Sequence, residues 1–347
     1  MGVVHFLDVS PGDCSIIEHS SARVTVIDVC MARIPSPRGS HSGTGLSALA
    51  MAGAPTGFGL APSPLQSLIS GAATAGLPHI QTQQDNPIQY LRDRGIDNIF
   101  RFVATHPDLD HIDGITEIFG EFQPVNFWDT ANTKQRPAPG VFRECDWTTY
   151  QRLRDGTGGH HPKRLVLHSG DSGYFFNQPG PMGQPQDGLH VLAPTRALTA
   201  LCNRTGDFND ASYVILYRSN AGRILFCGDS HDNTWDHLIE NHIDDIRDVE
   251  LMIAPHHGRD SGRDRSFLTY VRPKLTLFGR APSEHLAYDA WRNRNLPYIT
   301  SNQAGTVVID TNGTAMKVYV GKEPFARSRN RFTFYSEFHR AWYLRSN

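Results

Sequence analysis

The sequence predicts an α/β globule, and three observations predict it. Strand-like and helix-like runs alternate along the chain, hydrophobic residues make up 39% and charged residues 20% of its 347 residues, and three of the strand-like runs end in His and Asp. Such alternation is what a layered α/β or α+β domain requires. The length suffices to bury a full core.

In order, Val3 to Val9, Cys14 to Glu18 and Arg23 to Val29 read as strands, the first two joined by the turn sequence Ser-Pro-Gly-Asp. Asp8, Asp13 and Asp28 fall at strand ends, where turn amides are their expected partners. From Met31 to about Asn86 the composition shifts to Gly, Ala, Ser and Pro, which reads as an insertion: a long loop with one helix around Leu60 to Ala73, suited to act as a lid. Pro87 to Gly95 reads as a helix, with Pro at its start, Ile88 and Leu91 three apart and Gly95 as its stop.

Ile99 to Ala104 is a short buried strand, and Ile112, Ile115, Ile118 and Phe119 fall at helical spacing after Gly114. Val125 to Trp128 is a strand, Asn132 to Gly140 a polar loop and Cys145 to Arg154 a helix. The pair His160 and His161 sits in a Gly-rich turn with no apolar scaffold, which argues against ligation. Arg164 to His168, Gly173 to Phe176 and Leu189 to Ala193 continue the strand series. The stretch from Asn209 to Tyr217 and that from Arg223 to Phe226 form a hairpin whose second strand ends on Asp229, and Leu251 to Ala254 delivers His256 and His257. After a strand at Leu275 to Phe278 come Ser283 and His285, a helix from about Leu286 to Arg294, and strands at Ile299 to Thr300 and Thr306 to Ile309.

The closing segment mixes Arg327, Arg329, Arg331, Arg340 and Arg345 with Phe332, Phe334, Tyr335, Phe338, Trp342 and Tyr343. Arginine beside stacking aromatics suits a grip on single-stranded nucleic acid. Docking of the aromatic side on the body suits it equally.

Between the strand at Ile99 and the helix after Gly114, His106, Asp108 and Asp110 are spaced by two, and His111 breaks the alternation. One such loop can serve two adjacent ions. Imidazoles suit zinc, iron or manganese, and the carboxylates favour harder ions such as manganese. Asp108, Asp110 and Asp229 bring three negative charges against four positive from two divalent cations, and one hydroxide balances the sum. Without cations, each carboxylate pair about 4 Å apart would repel by around 4 kcal/mol at an effective dielectric near 20.

Cys14, Cys30, Cys145, Cys202 and Cys227 are scattered and show no CxxC spacing, which points to a reducing cytoplasm and away from iron–sulfur or haem redox chemistry. No apolar run reaches the roughly 20 residues of a bilayer span, and no secretion signal opens the chain. The net charge of −2 does not by itself advertise nucleic acid or membrane.

Strand-turn-strand, Thr-His-Pro-Asp-Leu-Asp-His-Ile-Asp-Gly, Cys-Gly-Asp-Ser and Ala-Pro-His-His-Gly, in that order, resemble the metallo-β-lactamase superfamily. The opening Phe-Leu-Asp-Val-Ser-Pro-Gly-Asp-Cys, Asn-Asp-Ala-Ser, Ser-Glu-His and Ala-Gly-Thr-Val-Val resemble its branch typified by the hydrolase domain of the bacterial competence DNA-uptake channel protein. The resemblance spans roughly Val3 to Ile309. It implies one domain over residues 1–347, an αββα sandwich of two mixed sheets flanked by helices, with the insertion at about 31–86 and the Arg- and aromatic-rich segment at about 322–347 as additions.

The resemblance also implies hydrolysis by a hydroxide bridging two divalent ions, Zn or Mn, on a phosphodiester or nucleic acid. A carboxylic ester, lactone or thioester is the alternative substrate, and a metal-stabilised binding module, meeting a protein partner through the insertion or the tail, the non-catalytic alternative. By position, His106 and Asp108 would bind the first ion, with Asp108 where many relatives have His. Asp110, also a catalytic candidate, would bind the second with His111 and His256, and Asp229 would bridge. His190 or Asp210 is the candidate for a remaining first-site ligand. His257 or His285 would protonate the leaving group, and Arg259, Arg263, Arg265 and Ser283 are the candidates to hold substrate.

Overall fold

The computed structural model describes residues 2–34, 84–138, 140, 143–157, 162–176 and 187–346. All of these belong to one compact unit, Met1–Ile34 with Gln84–Asn347. The helix expected around Leu60 to Ala73 and the pair His160 and His161 lie outside the described residues.

Six strands open the chain: β1 (Val3–Phe6), β2 (Ser15–Glu18), β3 (Val24–Ile27), β4 (Arg101–Val103), β5 (Asn126–Trp128) and β6 (Lys163–Leu165). Six more follow as β7 (Leu189–Ala193), β8 (Val214–Ser219), β9 (Gly222–Phe226), β10 (Leu251–Ile253), β11 (Thr276–Phe278) and β12 (Tyr298–Thr300). The last four are β13 (Val307–Asp310), β14 (Lys317–Val320), β15 (Tyr335–Ser336) and β16 (Ala341–Ser346). One sheet runs β15-β16-β14-β13-β1-β2-β3-β4-β5-β6 and the other β12-β11-β10-β9-β8-β7. Both are mixed: β1 to β3 pair antiparallel and β3 to β6 parallel, while β7 to β9 pair antiparallel and β9 to β12 parallel.

Neighbouring residues on a strand point to opposite faces, and here both faces are apolar. Ile17, Ile27, Val103 and Trp128 pack inward against Ile215, Phe226, Ile253 and Leu277 of the second sheet. Their neighbours Ile16, Val26, Phe102 and Phe127 pack outward against three helices, α1 (Pro87–Asp93), α2 (Ile115–Phe122) and α3 (Glu144–Asp155). Leu192, Leu216, Leu225 and Met252 pack outward on the other side, where Trp235 and Leu238 of α5 (Asp232–Asn241) cover them; α4 (Arg196–Thr205) precedes it. The layers are therefore helix, sheet, sheet, helix, the αββα sandwich that the resemblance implies.

Local rules account for the helix starts. Asn86 accepts a hydrogen bond from the Ile88 amide, and Pro87 follows at the first helical position of α1. Two expectations change. Gly173 and Phe176 bond only to each other's backbone, a tight turn rather than a strand, and the helix expected from Leu286 is a short one at Tyr288–Arg292. The closing segment forms α6 (Glu323–Arg329), β15 and β16, with β16 paired to β14. Among the described residues, no helix is long and apolar enough to cross a membrane.

Candidate metal centre

The loop after β4 is bolted to the end of β3. The Thr105 amide and hydroxyl both donate to Asp28, at 2.7 Å each, and His111 Nδ1 lies 2.7 Å from Asp28 Oδ2. Because the Thr105 proton goes to Asp28, its oxygen accepts from His106 Nδ1 at 3.1 Å, which leaves His106 Nε2 as a bare lone pair. Asp28 also leaves the His111 Nε2 lone pair facing away from itself. One carboxylate thus orients two imidazoles.

The second sheet brings Asp229 to the same place. Gly228 has φ +51°, and a side chain there would meet Ser212 Cβ at 2.9 Å and Thr105 Cβ at 3.1 Å, so the two sheets close on one another at this glycine. Asp229, 2% exposed, has Oδ1 at 3.2 Å from His111 Nε2 and 3.7 Å from His257 Nε2. Its Oδ2 lies 3.7 Å from both His106 Nε2 and His256 Nε2. His256 and His257 are consecutive left-handed residues, φ 53° and 57°, so adjacent rings fall on opposite sides of one carboxylate. Such backbone conformations cost of order 1 kcal/mol or more each and persist only where the surroundings impose them.

Asp110 Oδ2 stands 3.4 Å from His257 Nε2, and Asp13 Oδ1 faces the ring's other nitrogen at 3.0 Å. On the far side, Asp108 Oδ1 is 3.9 Å from His106 Nε2 and is paired with Lys134. Two groups have ligand atoms all within 4.8 Å of one another: His106, His111 and Asp229, and Asp110, His111 and His257.

His106 Nε2, His111 Nε2, His257 Nε2 and Asp229 Oδ1 are buried without a hydrogen-bond partner. Each such group costs about 1–3 kcal/mol if left unmet. Four of them converging, in a mixed nitrogen and carboxylate set with outer partners in place, fit a divalent cation.

The electrostatics agree with that fit. Burial opposes charge on His111, yet Asp229, Asp28 and Asp110 outweigh it and hold its pKa well above the usual value. Burial is outweighed likewise at His257, which Asp13, Asp229 and Asp110 push up to about 10. Burial favours a neutral Asp229, but His111, His257 and His106 hold it well below the carboxylate range. The carboxylates therefore call for positive charge at the place where cations would sit.

Several expected site residues take other positions in the structure. The sequence reading pairs His256 with Asp110 and His111 and leaves His257 to move a proton. Instead His257 faces Asp110, while His256 lies on the His106 side, because the left-handed turn exchanges the two rings. The Asp210 carboxylate is taken up by the first turn of α5, accepting from Thr234 N at 2.9 Å and Asn233 N at 3.3 Å, while its neighbour Asn209 reaches Asp229 Oδ2 at 3.4 Å. His190 sits at the start of β7, opposite Leu216 and beside Arg218, away from the strand ends that carry the cluster.

His285 and Ser283 are exposed on a turn tied to the loop after His257 through backbone bonds of Asp260 and Arg259. Arg259 donates to the Pro11 carbonyl, Arg265 to that of Arg259, and Arg263 is paired with Asp207 at 3.4 Å. Asp8 pairs with Arg280. Asp13 and Asp28 do more than serve turn amides, since each faces a histidine of the cluster. Lys134 and His231 also border the cluster, beside Asp108 and His256. His231 is buried, its Nδ1 is 3.0 Å from Asp207, and its ring centre is 6.0 Å from that of His256; the Asp-Ser-His run after Gly228 was the available signal.

Fold and cluster together define a candidate centre for divalent cations beside one aspartate. No family model matches the chain, and no curated protein is similar to it. Among solved structures, it is similar to a new diphosphatase from the PhnP family, at 13% identity and a TM-score of 0.38 over 86% of this chain and 94% of that one. At that score the likeness says nothing about activity or substrate.

Proposed function

We propose that the chain hydrolyses phosphodiester bonds with two divalent cations held on either side of Asp229. The observation that carries the reading is the division of labour at that residue: Oδ1 faces His111 and His257, and Oδ2 faces His106 and His256. Asp110 joins the first side and Asp108 the second. Two cations there would supply a water of lowered pKa and a polarising charge on a phosphoryl oxygen.

The chain's own groups supply the rest. Asp28, Thr105 and Asp13 hold the imidazoles in orientation, so little rearrangement accompanies the reaction. Lys134, beside Asp108 at the rim, offers positive charge to an anionic phosphate. With His257 turned to Asp110 and Asp229, the proton for the leaving oxygen falls to His231, whose Nδ1 meets Asp207 and whose Nε2 has no hydrogen-bond partner. The motifs resembling the competence-channel branch support a phosphodiester substrate.

Metal-stripped protein refilled with Mn or Zn should cleave bis-p-nitrophenyl phosphate, a cyclic dinucleotide or an oligonucleotide, and lose that activity in H106A. Turnover of lactones or thioesters alone would move the substrate class. No turnover of any of these with any divalent ion would leave a non-catalytic centre and overturn the proposal.

A further inference from the structure

We infer that the C-terminal hairpin, with the groove beside it, is a docking surface for single-stranded nucleic acid, separate from the metal centre. Phe332, Phe334, Tyr335 and Phe338 are 73%, 53%, 43% and 60% exposed, a density of bare rings that a soluble surface does not ordinarily carry. Arginines are interleaved with them. From Lys322 onward the chain has six Lys and Arg against two Glu, within a chain whose net charge is −2.

Arg327 is tied to Glu323 at 2.6 Å, but among the described residues Arg329, Arg331, Arg340 and Arg345 are exposed and have no carboxylate partner. Arg331 lies over the Phe332 ring at 4.6 Å, and Phe334 stacks on Tyr343 at 5.2 Å and 15°. β16 pairs with β14 and with β15, so Tyr335 stands on the sheet while Phe332, Phe334 and Phe338 lie in the chain flanking that short strand. The one acid among them is the exposed Glu337.

Phe338 also borders a groove of about 440 Å³ lined by Glu18, Asp97, Arg23, Arg94 and Asn98, where Arg23 is paired with Asp187 and Arg94 with Glu18. The groove lies at the start of β3 and before β4, the opposite end of those strands from Asp28 and His106. Bare rings interleaved with arginines that have no carboxylate partner match a strand of bases and phosphates, and the groove that Phe338 borders extends that surface. A protein partner would have to supply both acids and separate apolar sockets.

The test is fluorescence anisotropy of the whole chain, in EDTA, with a labelled oligothymidylate of about twenty nucleotides. Four phosphate contacts predict a log–log salt slope of about −3, so raising salt from about 50 to about 200 mM should weaken binding roughly fiftyfold. F332A with F338A should weaken it by about tenfold or more, and R329A with R331A and R340A should flatten the slope. Both variants should keep the melting temperature and the phosphodiester turnover of the parent chain.

Absence of binding to oligothymidylate and oligouridylate, or binding indifferent to these variants, overturns the inference. So does preference for anionic vesicles, or a concentration-dependent dimer that F332A with F338A abolishes. Binding without hydrolysis would refute only the proposed activity, and hydrolysis without binding only this surface.

Discussion

Replacing Asp28 by Asn keeps the shape of the residue that orients two imidazoles and removes its charge. Asparagine's oxygen can still accept from the Thr105 amide, but its NH2 group then points at His111 Nδ1 and the Thr105 hydroxyl, which Asp28 Oδ2 now receives at 2.7 Å each. Two donors cannot face one another, so His111 must take the tautomer with its proton on Nε2, aimed into the centre. Losing an orienting partner of this kind costs about 10- to 100-fold in metal affinity. A buried charge-assisted bond worth about 1.5–3 kcal/mol gives the same range independently.

The assay is titration of stripped protein with Zn or Mn against a chromophoric chelator, with elemental analysis for stoichiometry. D28N should bind at least about tenfold more weakly on the His111 side. D8N, which disturbs Arg280 at a neighbouring strand end, should leave the affinity alone. Two ions bound by D28N at parental affinity would refute the reasoning.

H257A should lower the stoichiometry towards one ion per chain, whereas H256A should keep the ion beside Asp110 and loosen the other; elemental analysis after dialysis decides, and identical losses would remove the two-sided reading. G12A would place a methyl 1.7 Å from the Asp110 carbonyl oxygen, so the loop must shift; a loss of about 1–3 kcal/mol in urea unfolding is expected, together with weaker metal binding. Burial pushes His19 down to about 3 and His5 to about 4. The unfolded chain takes up those protons near pH 6.5, so their contribution is whole above that pH and is lost as pH falls towards the folded values, at about 1.4 kcal/mol per unit per group. H19Q should therefore flatten the acid limb of a melting-temperature profile between about pH 6 and 4, and an unchanged limb would count against it.

Much of the architecture is legible because strand period and burial act locally. Pairs such as Ile16 with Ile17, Phe102 with Val103 and Phe127 with Trp128 are apolar on both faces, which is how a strand between two packed layers must read. The ligand candidates are legible because they cluster at strand ends. What is not legible depends on backbone conformation or distant chain. No sequence pattern dictates that His256 and His257 both turn left-handed. Asn-Asp-Ala-Ser reads alike whether Asp210 faces a cation or caps a helix. Asp28 and Asp13 find their histidines 83 and 244 positions away, a pairing that only the closed sandwich creates.

β1 lies in the middle of the larger sheet, with Val3 opposite Asp310 on one flank and Glu18 on the other. As the chain leaves the ribosome, one edge of that strand stays bare until β13 has been made, presenting unpaired amides and carbonyls to whatever meets them. A shorter delay holds back the cluster, because Asp13 waits for His257. A chain cut short before β13 would carry an adhesive edge, and its production should depend on holdase chaperones far more than that of the whole protein.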